Sequence, residues 1–452
     1  ELKKVHAVEG ARLQQAAARA SGDPNVNGAP GSFELISPVI DFDVTEGHIL
    51  RRAVTSGAAR IIILQGQPEA SSSPQKTVVT AGKFDANFSV VDGRNHLEKV
   101  HGAPDARIVS SSAGQPDRVS TSAAVDAVFL PQGGIDAVTQ SGNVAYTEDQ
   151  RAGKQMQAWA SAARYTPADQ MLVLTGLPRI ASGGMQTTAD QIRFNRASGD
   201  AIAENNVKST YNELKEQPNG ALLASSSPIH VTAKTMTARS NSGIALYSGK
   251  AMLWQDANVI QAPAITFDRD HRAVTAQGTA EQPVQTILVQ VHKAAGASGA
   301  NNKLASAAAS STVVLTGQKL AYADSERRVH YDGGVNAKGA DFAASAKSLD
   351  AFLLPRSQTS TPRSADGPGQ LDRMVANGDV VIQQPNRRAE GEKLVYTAAD
   401  DKFVLTGGPP SIFDAEQGKI TGVSLTFFRR DDRVLVEGGA STPVVSTTRM
   451  AR

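Results

Sequence analysis

"ARYTPADQMLVLTG" occupies residues 163–176, and "KLVYTAADDKFVLTG" occupies residues 393–407. From Arg164 to Gly176 against Val395 to Gly407, eight of thirteen positions are identical. Both stretches place alternating apolar residues on either side of a short polar segment. That pattern predicts two antiparallel strands joined by a turn. If Pro167 to Gln170 form the turn, Thr166 faces Met171, Tyr165 faces Leu172 and Ala163 faces Leu174. Side chains alternate faces with period two, so Tyr165, Leu172, Ala163 and Leu174 share one face.

The spacing inside this hairpin recurs. An aromatic residue is followed seven positions later by an apolar residue and eleven positions later by glycine, as in Tyr165/Leu172/Gly176. The others are Phe267/Val274/Gly278, Tyr322/Val329/Gly333, Tyr396/Phe403/Gly407 and Phe427/Val434/Gly438, with a weaker Phe194/Ala201/Asn205. Each predicts the same pairing and the same apolar face, which Leu174, Ile265, Leu320, Leu405 and Leu425 extend. The opposite face is polar at Arg164, Thr175, Thr266, Thr275, His330, Thr406 and Thr426, with Val173, Val404 and Leu435 as exceptions. The glycines then mark strand ends or bulges.

A longer period contains these units. "SPVIDFD" (37–43) resembles "APAITFD" (262–268), "VDAVFLP" (125–131) resembles "LDAFLLP" (349–355), and "GNVAY" (142–146) resembles "GDVVI" (378–382). The matches keep chain order, so residues 31–205 read as one copy and 256–440 as a second. Segment 206–255 reads as connecting hairpins, 1–30 as an N-terminal segment and 441–452 as a C-terminal tail. Repetition of this kind implies stacked hairpins with a continuous apolar interior.

Composition agrees with a β-rich chain. At 452 residues the length allows about three domains. Aromatics are only 5%, and small and β-branched residues dominate, which suits strands. Runs such as "ARIIILQ" (59–65), "KTVVTA" (76–81), "QTILVQV" (285–291) and "GDVVIQQ" (378–384) predict strands. "EGARLQQAAARA" (9–20) is the best helix candidate. Loops are expected at 20–31, 66–75, 293–311 and 356–370.

The net charge of +2, without a Lys/Arg run, argues against nucleic-acid binding. The absence of cysteine removes disulfides, thiolate metal sites and a cysteine nucleophile. No run of 18 apolar residues predicts a helical membrane span. The chain begins at Glu1 rather than Met, as expected if a signal or anchor has been removed.

No catalytic constellation is legible: there is no P-loop, no dinucleotide glycine fingerprint and no nucleophile elbow. His96 and His101 are not spaced as metal ligands, and "DFD" (41–43) and "DRDH" (268–271) read as strand ends entering turns, where Asp bonds nearby backbone. No catalytic residue, metal site or cofactor is expected. The apolar face reads in two ways, as a packed core or as an open-sided groove in which small residues leave room between the walls.

The units "GNVAYTEDQRAGKQMQAWASAARYTPADQMLVLTG" and "GDVVIQQPNRRAEGEKLVYTAADDKFVLTG" resemble the OstA-like family, the periplasmic domains of lipopolysaccharide-transport proteins found in LptA and the N-terminal part of LptD. "QDANVIQAPAITFDRDHRAVTAQG" (255–278) has the same look. The resemblance implies an all-β, elongated β-jellyroll (β-taco) of stacked antiparallel hairpins whose interior holds acyl chains. It implies a non-enzymatic conduit that carries lipopolysaccharide across the periplasm from inner to outer membrane as part of a bridge. Expected partners are lipopolysaccharide itself, other transport proteins joined by edge-strand pairing, and further copies of the chain end to end. A membrane anchor would lie outside this sequence. Two long copies exceed the usual single LptA domain, and the first could be of LptC or LptA type. The lipid-contacting class is carried over only as the inward face: Tyr165, Leu172, Leu174, Phe267, Val274, Tyr322, Val329, Tyr396, Phe403, Leu405, Phe427 and Val434. The alternative is a structural β-solenoid scaffold with a packed core and no lipid.

Overall fold

In a computed structural model of the chain, every one of the predicted hairpins closes in the expected register. Tyr165 pairs with Leu172 and Ala163 with Leu174. Phe267 pairs with Val274, Tyr322 with Val329, Tyr396 with Phe403 and Phe427 with Val434. The turn at 167–170 is held by the Gln170 amide donating to the Pro167 carbonyl at 3.3 Å and the Met171 amide donating to Asp169 Oδ1 at 3.0 Å. The tyrosine closes each copy of the hairpin from inside: Tyr165 Oη donates to Gln170 at 2.8 Å, and Tyr396 Oη to Asp401 at 3.0 Å.

The structure describes residues 2–15, 32–46, 48–65, 75–91, 93–114, 116–131, 134–149, 155–212, 219–223, 225–239, 243–291, 310–340, 342–355, 371–416, 418–428, 433–440 and 443–447. Among them the architecture is all-β, with 36 strands and antiparallel pairing throughout the registers. The four expected strands form, as Ala59–Gln65, Gln75–Ala81, Val284–Val291 and the second half of Leu371–Gln383. The helix expected at 9–20 does not: Ala11–Gln15 is a strand paired with Ser32–Ser37, and residues 16–20 lie outside the described residues. Pairing to a neighbouring strand satisfies the backbone and buries Ala11, which a helix this short could not do alone. The expected loops also fall outside the described residues, apart from Gln75, Ser310 and Ser311, which begin strands. Within the expected tail, Val445–Thr447 pairs with Gly418–Thr421.

The chain divides into two compact units, Glu1–Val207 and Lys208–Arg452. A single pairing scheme recurs in it. The long strand Gln155–Thr166 pairs through its C-terminal half with Met171–Thr175 and through its N-terminal half with Arg179–Ser182. Asn258–Asp268 does the same with Ala273–Gln277 and Val284–Val291. Arg387–Thr397 does so with Lys402–Thr406 and Ser411–Asp414. In each case the two short partners then start two separate ladders, such as Met171–Thr175 onto Gln191–Asn195 and Arg179–Ser182 onto Met185–Thr188. One long strand therefore contributes to two walls, and the apolar faces of the walls meet. This scheme has a shorter period than the two long copies seen in the sequence.

The neighbouring strands Ile135–Asp149 and Leu371–Gln383 pass from wall to wall at bends where two consecutive residues are left-handed. Gly142 and Asn143 have φ of 77° and 50°, and Gly378 and Asp379 have 78° and 48°. Both sites are register shifts in the ladder. At Gly142 a Cβ would lie 2.7 Å from the Ala123 Cβ, so both conformation and space require glycine. Gly142→Val is expected to lower the stability of the first unit by about 1–3 kcal/mol. In a Trp254→Phe background, the urea midpoint followed by Trp159 fluorescence measures this, and an unchanged midpoint would refute the role assigned to the bend.

Candidate functional site

The paired rungs of the second unit join into two long rows on its first wall. One runs Phe267, Val274, Tyr322, Val329, Ala351, Met374, Tyr396, Phe403, Phe427, Val434 across successive strands. The other, two residues along each strand, includes Tyr247, Ile265, Ala276, Leu320, Tyr331 and Leu349 and continues to Leu394, Leu405 and Leu425. The second wall supplies a facing row, Leu315, Ala337, Ala344, Ile382, Ala389 and Ile412.

The two halves of this interior differ. Toward the start of the unit the walls are in contact through large side chains: Phe267, Val274, Tyr247 and Tyr331 are all fully buried. Past Val335 the second wall carries alanines and the walls stand apart. The result is a cavity of about 520 Å³ lined by Tyr396, Phe403, Leu405, Phe427 and Val434 on one side and Ala344, Ile382, Ala389 and Ile412 on the other. Tyr396, Phe403, Phe427 and Val434 are only half-buried, as side chains bordering open space must be. The aromatic rings form a continuous floor, with centroids 4.5 Å apart for Tyr396 and Phe403 and 6.4 Å for Phe403 and Phe427. Arg387 is the charged group on the lining; its guanidinium donates to Asp414 at 2.8 Å and lies 5.9 Å from the Phe427 ring.

The packed half is closed by a segment of the chain itself. Residues 221–223, inside the stretch expected as connecting hairpins, lie against Tyr322 and Asp324, and the carbonyls of Ser225 and Ser227 accept from Gln255. Asp324 Oδ1 accepts from the Ala221 amide at 3.0 Å, from the Leu223 amide at 3.3 Å and from the Tyr322 hydroxyl. That hydroxyl in turn accepts from the Leu222 amide at 2.7 Å. Arg272, almost wholly buried, donates to the Leu223 carbonyl at 2.5 Å and the Ser225 carbonyl at 3.4 Å. Burial lowers the Arg272 pKa, and the charge of Asp324 opposes that shift. Burial likewise pushes the Tyr247 hydroxyl up to about 12 and raises those of Tyr211, Tyr322 and Tyr331.

The first unit has a packed interior. A void of about 40 Å³ lies between Ile61, Ile63, Phe84, Val100, Val125 and Phe129. Leu172 and Leu174 are buried in this unit and Tyr165 is half-buried, with the Arg196 guanidinium 4.6 Å from its ring. The twelve inward positions therefore fall into three groups. Tyr396, Phe403, Leu405, Phe427 and Val434 share the large cavity. Phe267, Val274, Tyr322 and Val329 are packed in the same unit. Tyr165, Leu172 and Leu174 belong to the other unit. The second-wall row was not found from sequence. Its signal is the bend at Gly378–Asp379, which shifts the ladder by one bulge and carries Ile382 to the wall opposite Met374 and Ala376.

The acidic motifs act locally. Asp268 Oδ1 accepts the Asp270 and His271 amides, both at 3.0 Å, which makes "DRDH" a turn cap. His101 Nδ1 lies 2.8 Å from Asp126 on the neighbouring strand. Among the described residues no group of three His, Asp or Glu side chains is placed to hold a metal ion, and no helix is long and apolar enough to cross a membrane.

Among curated proteins no sequence matches the chain. The family model described as "LptA/(LptD N-terminal domain) LPS transport protein" matches residues 104–200 and 230–433, the second half of the first unit and most of the second. That is a family of transport domains, not of enzymes, and the second match contains the whole aromatic floor of the cavity from Tyr396 to Phe427. Repeated bent strands, a two-walled apolar interior and this match agree: the chain belongs to the LptA/LptD N-terminal domain family of lipopolysaccharide transport proteins.

Proposed function

We propose that the second unit holds the acyl chains of lipopolysaccharide between its walls while sugars and phosphates stay in water, and that the chain works in the periplasm as a section of a bridge from inner to outer membrane. The observation that carries this reading is the cavity of about 520 Å³ bounded by Tyr396, Phe403, Phe427 and Ala389. Its lining is apolar apart from a few groups such as Arg387, so an acyl chain is the ligand class it suits. Each methylene moved there from water contributes about 0.8 kcal/mol. Continuation to neighbouring transport proteins, or to further copies of the chain, would use unpaired strand edges, which are templates for strand addition.

A photo-crosslinking residue at Phe403 or Phe427 is expected to capture lipopolysaccharide in cells, and one at Thr406, which alternates to the other face, is not. Capture from Thr406 with none from Phe403 would overturn the assignment. For the first unit, burial of Leu172, Leu174 and Ile192 favours the second reading, a packed scaffold that sets spacing and contacts partners without holding lipid. A crosslinker at Leu172 is then expected to stay silent.

A further inference from the structure

The lining of the cavity reaches back along the second wall to Asn258, the first residue of the strand Asn258–Asp268. Asn258 lies two residues before Ile260 and so shares its inward face. Ile260 pairs with Thr286, and Thr286 with Leu315 of the lining. Asn258 is 5% exposed, whereas Thr312, Ser345, Gln384 and Arg387 elsewhere on the lining are all more exposed. Its Oδ1 is buried and has no hydrogen-bond partner. The neighbouring side chain does not supply one. Gln255, fully buried, pairs with Asn258 across the hairpin, but its Nε2 donates to the carbonyls of Ser227 at 2.6 Å and Ser225 at 3.1 Å. Gln255 Oε1 is itself buried without a partner, and one acceptor cannot satisfy another. An orphan acceptor is rare in a folded interior and marks a place where a donor is missing. Leucine would fill the same space without that penalty.

We propose that Asn258 is a hydrogen-bonding subsite of the cavity and selects acyl chains that carry a hydroxyl group over plain alkyl chains. This rests on the acyl-binding reading above. A plain chain seated against Asn258 covers the amide with methylenes and leaves Oδ1 unsatisfied. A hydroxyl at that point donates to Oδ1, and because a hydroxyl also accepts, it can serve either end of the amide. The apolar surroundings strengthen that bond relative to water. The hydroxyl gives up its own bonds to water on entry, so the net preference is moderate rather than absolute. The subsite also sets position along the chain. A hydroxyl stranded beside Leu315, Leu349 or Phe403 meets no partner on the lining and should weaken binding.

The test is equilibrium binding of the intact chain to stearoyl probes with a fluorescent headgroup. One probe is plain, and the others carry a single hydroxyl moved stepwise along the chain to its terminal carbon. With the unaltered protein, one hydroxyl position is expected to bind about tenfold more tightly than the plain chain, and the positions away from it more weakly than the plain chain. Asn258→Leu is expected to abolish the preference and to bind the plain chain at least as tightly as before. Asn258→Ala removes the amide without adding bulk, and it decides the question if Asn258→Leu does not fold. A series in which no hydroxyl position binds better than the plain chain, the result if water alone satisfies the amide, overturns the subsite and leaves the acyl-binding reading standing. A preference that survives the loss of the amide does the same. No binding of any probe by the unaltered protein overturns the acyl-binding reading and the subsite with it.

Discussion

Asp324→Ala is expected to destabilise the second unit by about 3–5 kcal/mol, the range for removing one partner from a buried charged network. Asp324 is 0% exposed and serves three donors through one oxygen: the amides of Ala221 and Leu223 and the hydroxyl of Tyr322. Alanine would leave all three without that acceptor, and the almost wholly buried Arg272 would lose the negative charge that stabilises its guanidinium. Residues 219–223 would then lose their anchor over the packed rungs. Asp324→Asn retains an oxygen acceptor and should cost less than Asp324→Ala. The chain has two tryptophans, Trp159 in the first unit and Trp254 in the second. In a Trp159→Phe background, the urea transition of Trp254 fluorescence therefore reports on the second unit. A loss below about 1 kcal/mol would show that the segment is not held by this network.

Tryptophan at Ala389 is expected to do the opposite: to leave folding almost unchanged while reducing acyl binding at least tenfold. Ala389 is half-buried on the second wall and borders the cavity opposite the aromatic floor. A large side chain there grows into space rather than into neighbours. The same substitution at Ala276, buried between Ile265 and Leu320 in the packed half, should cost about 3 kcal/mol or more, because an indole has nowhere to go in a filled core. Chemical denaturation and binding of a fluorescent fatty acid, measured on both variants, separate the two halves of the interior. Equal destabilisation at Ala389 and Ala276 would mean that the walls are packed along their whole length.

The proposed acyl-binding role has its physical basis in these two contrasts. A lipid-carrying β-structure must keep its walls apart without a filled core, and an unfilled interior contributes less to stability. In the second unit the packed rungs at Phe267 to Tyr331, with the segment anchored on Asp324, supply cohesion. The rungs from Met374 to Val434 supply space. Both are made by the same bent-strand scheme. The difference is in the second wall, where alanine at 337, 344 and 389 replaces bulk.

Much of this was legible in the chain. The Tyr165/Leu172 and Tyr396/Phe403 hairpins, their register and their inward face follow from period-two alternation and turn chemistry, which act over fewer than about fifteen residues. The same local rule gave the rungs at Phe267, Tyr322 and Phe427. It failed at residues 9–15, where an Ala- and Gln-rich run suggested helix and edge pairing with Ser32–Ser37 decided for strand. Sequence determined the rungs, their order and their apolar side. Whether a given rung lines a cavity or a core was decided only by tertiary structure, because that depends on what the opposite wall brings to it. Ile382 reaches the second wall through a bend at Gly378–Asp379 and sets Ala389 beside it, and Asp324 meets Ala221 from 103 residues away. Separation between walls is a sum of side-chain volumes from strands distant in the chain, and no local periodicity carries that sum.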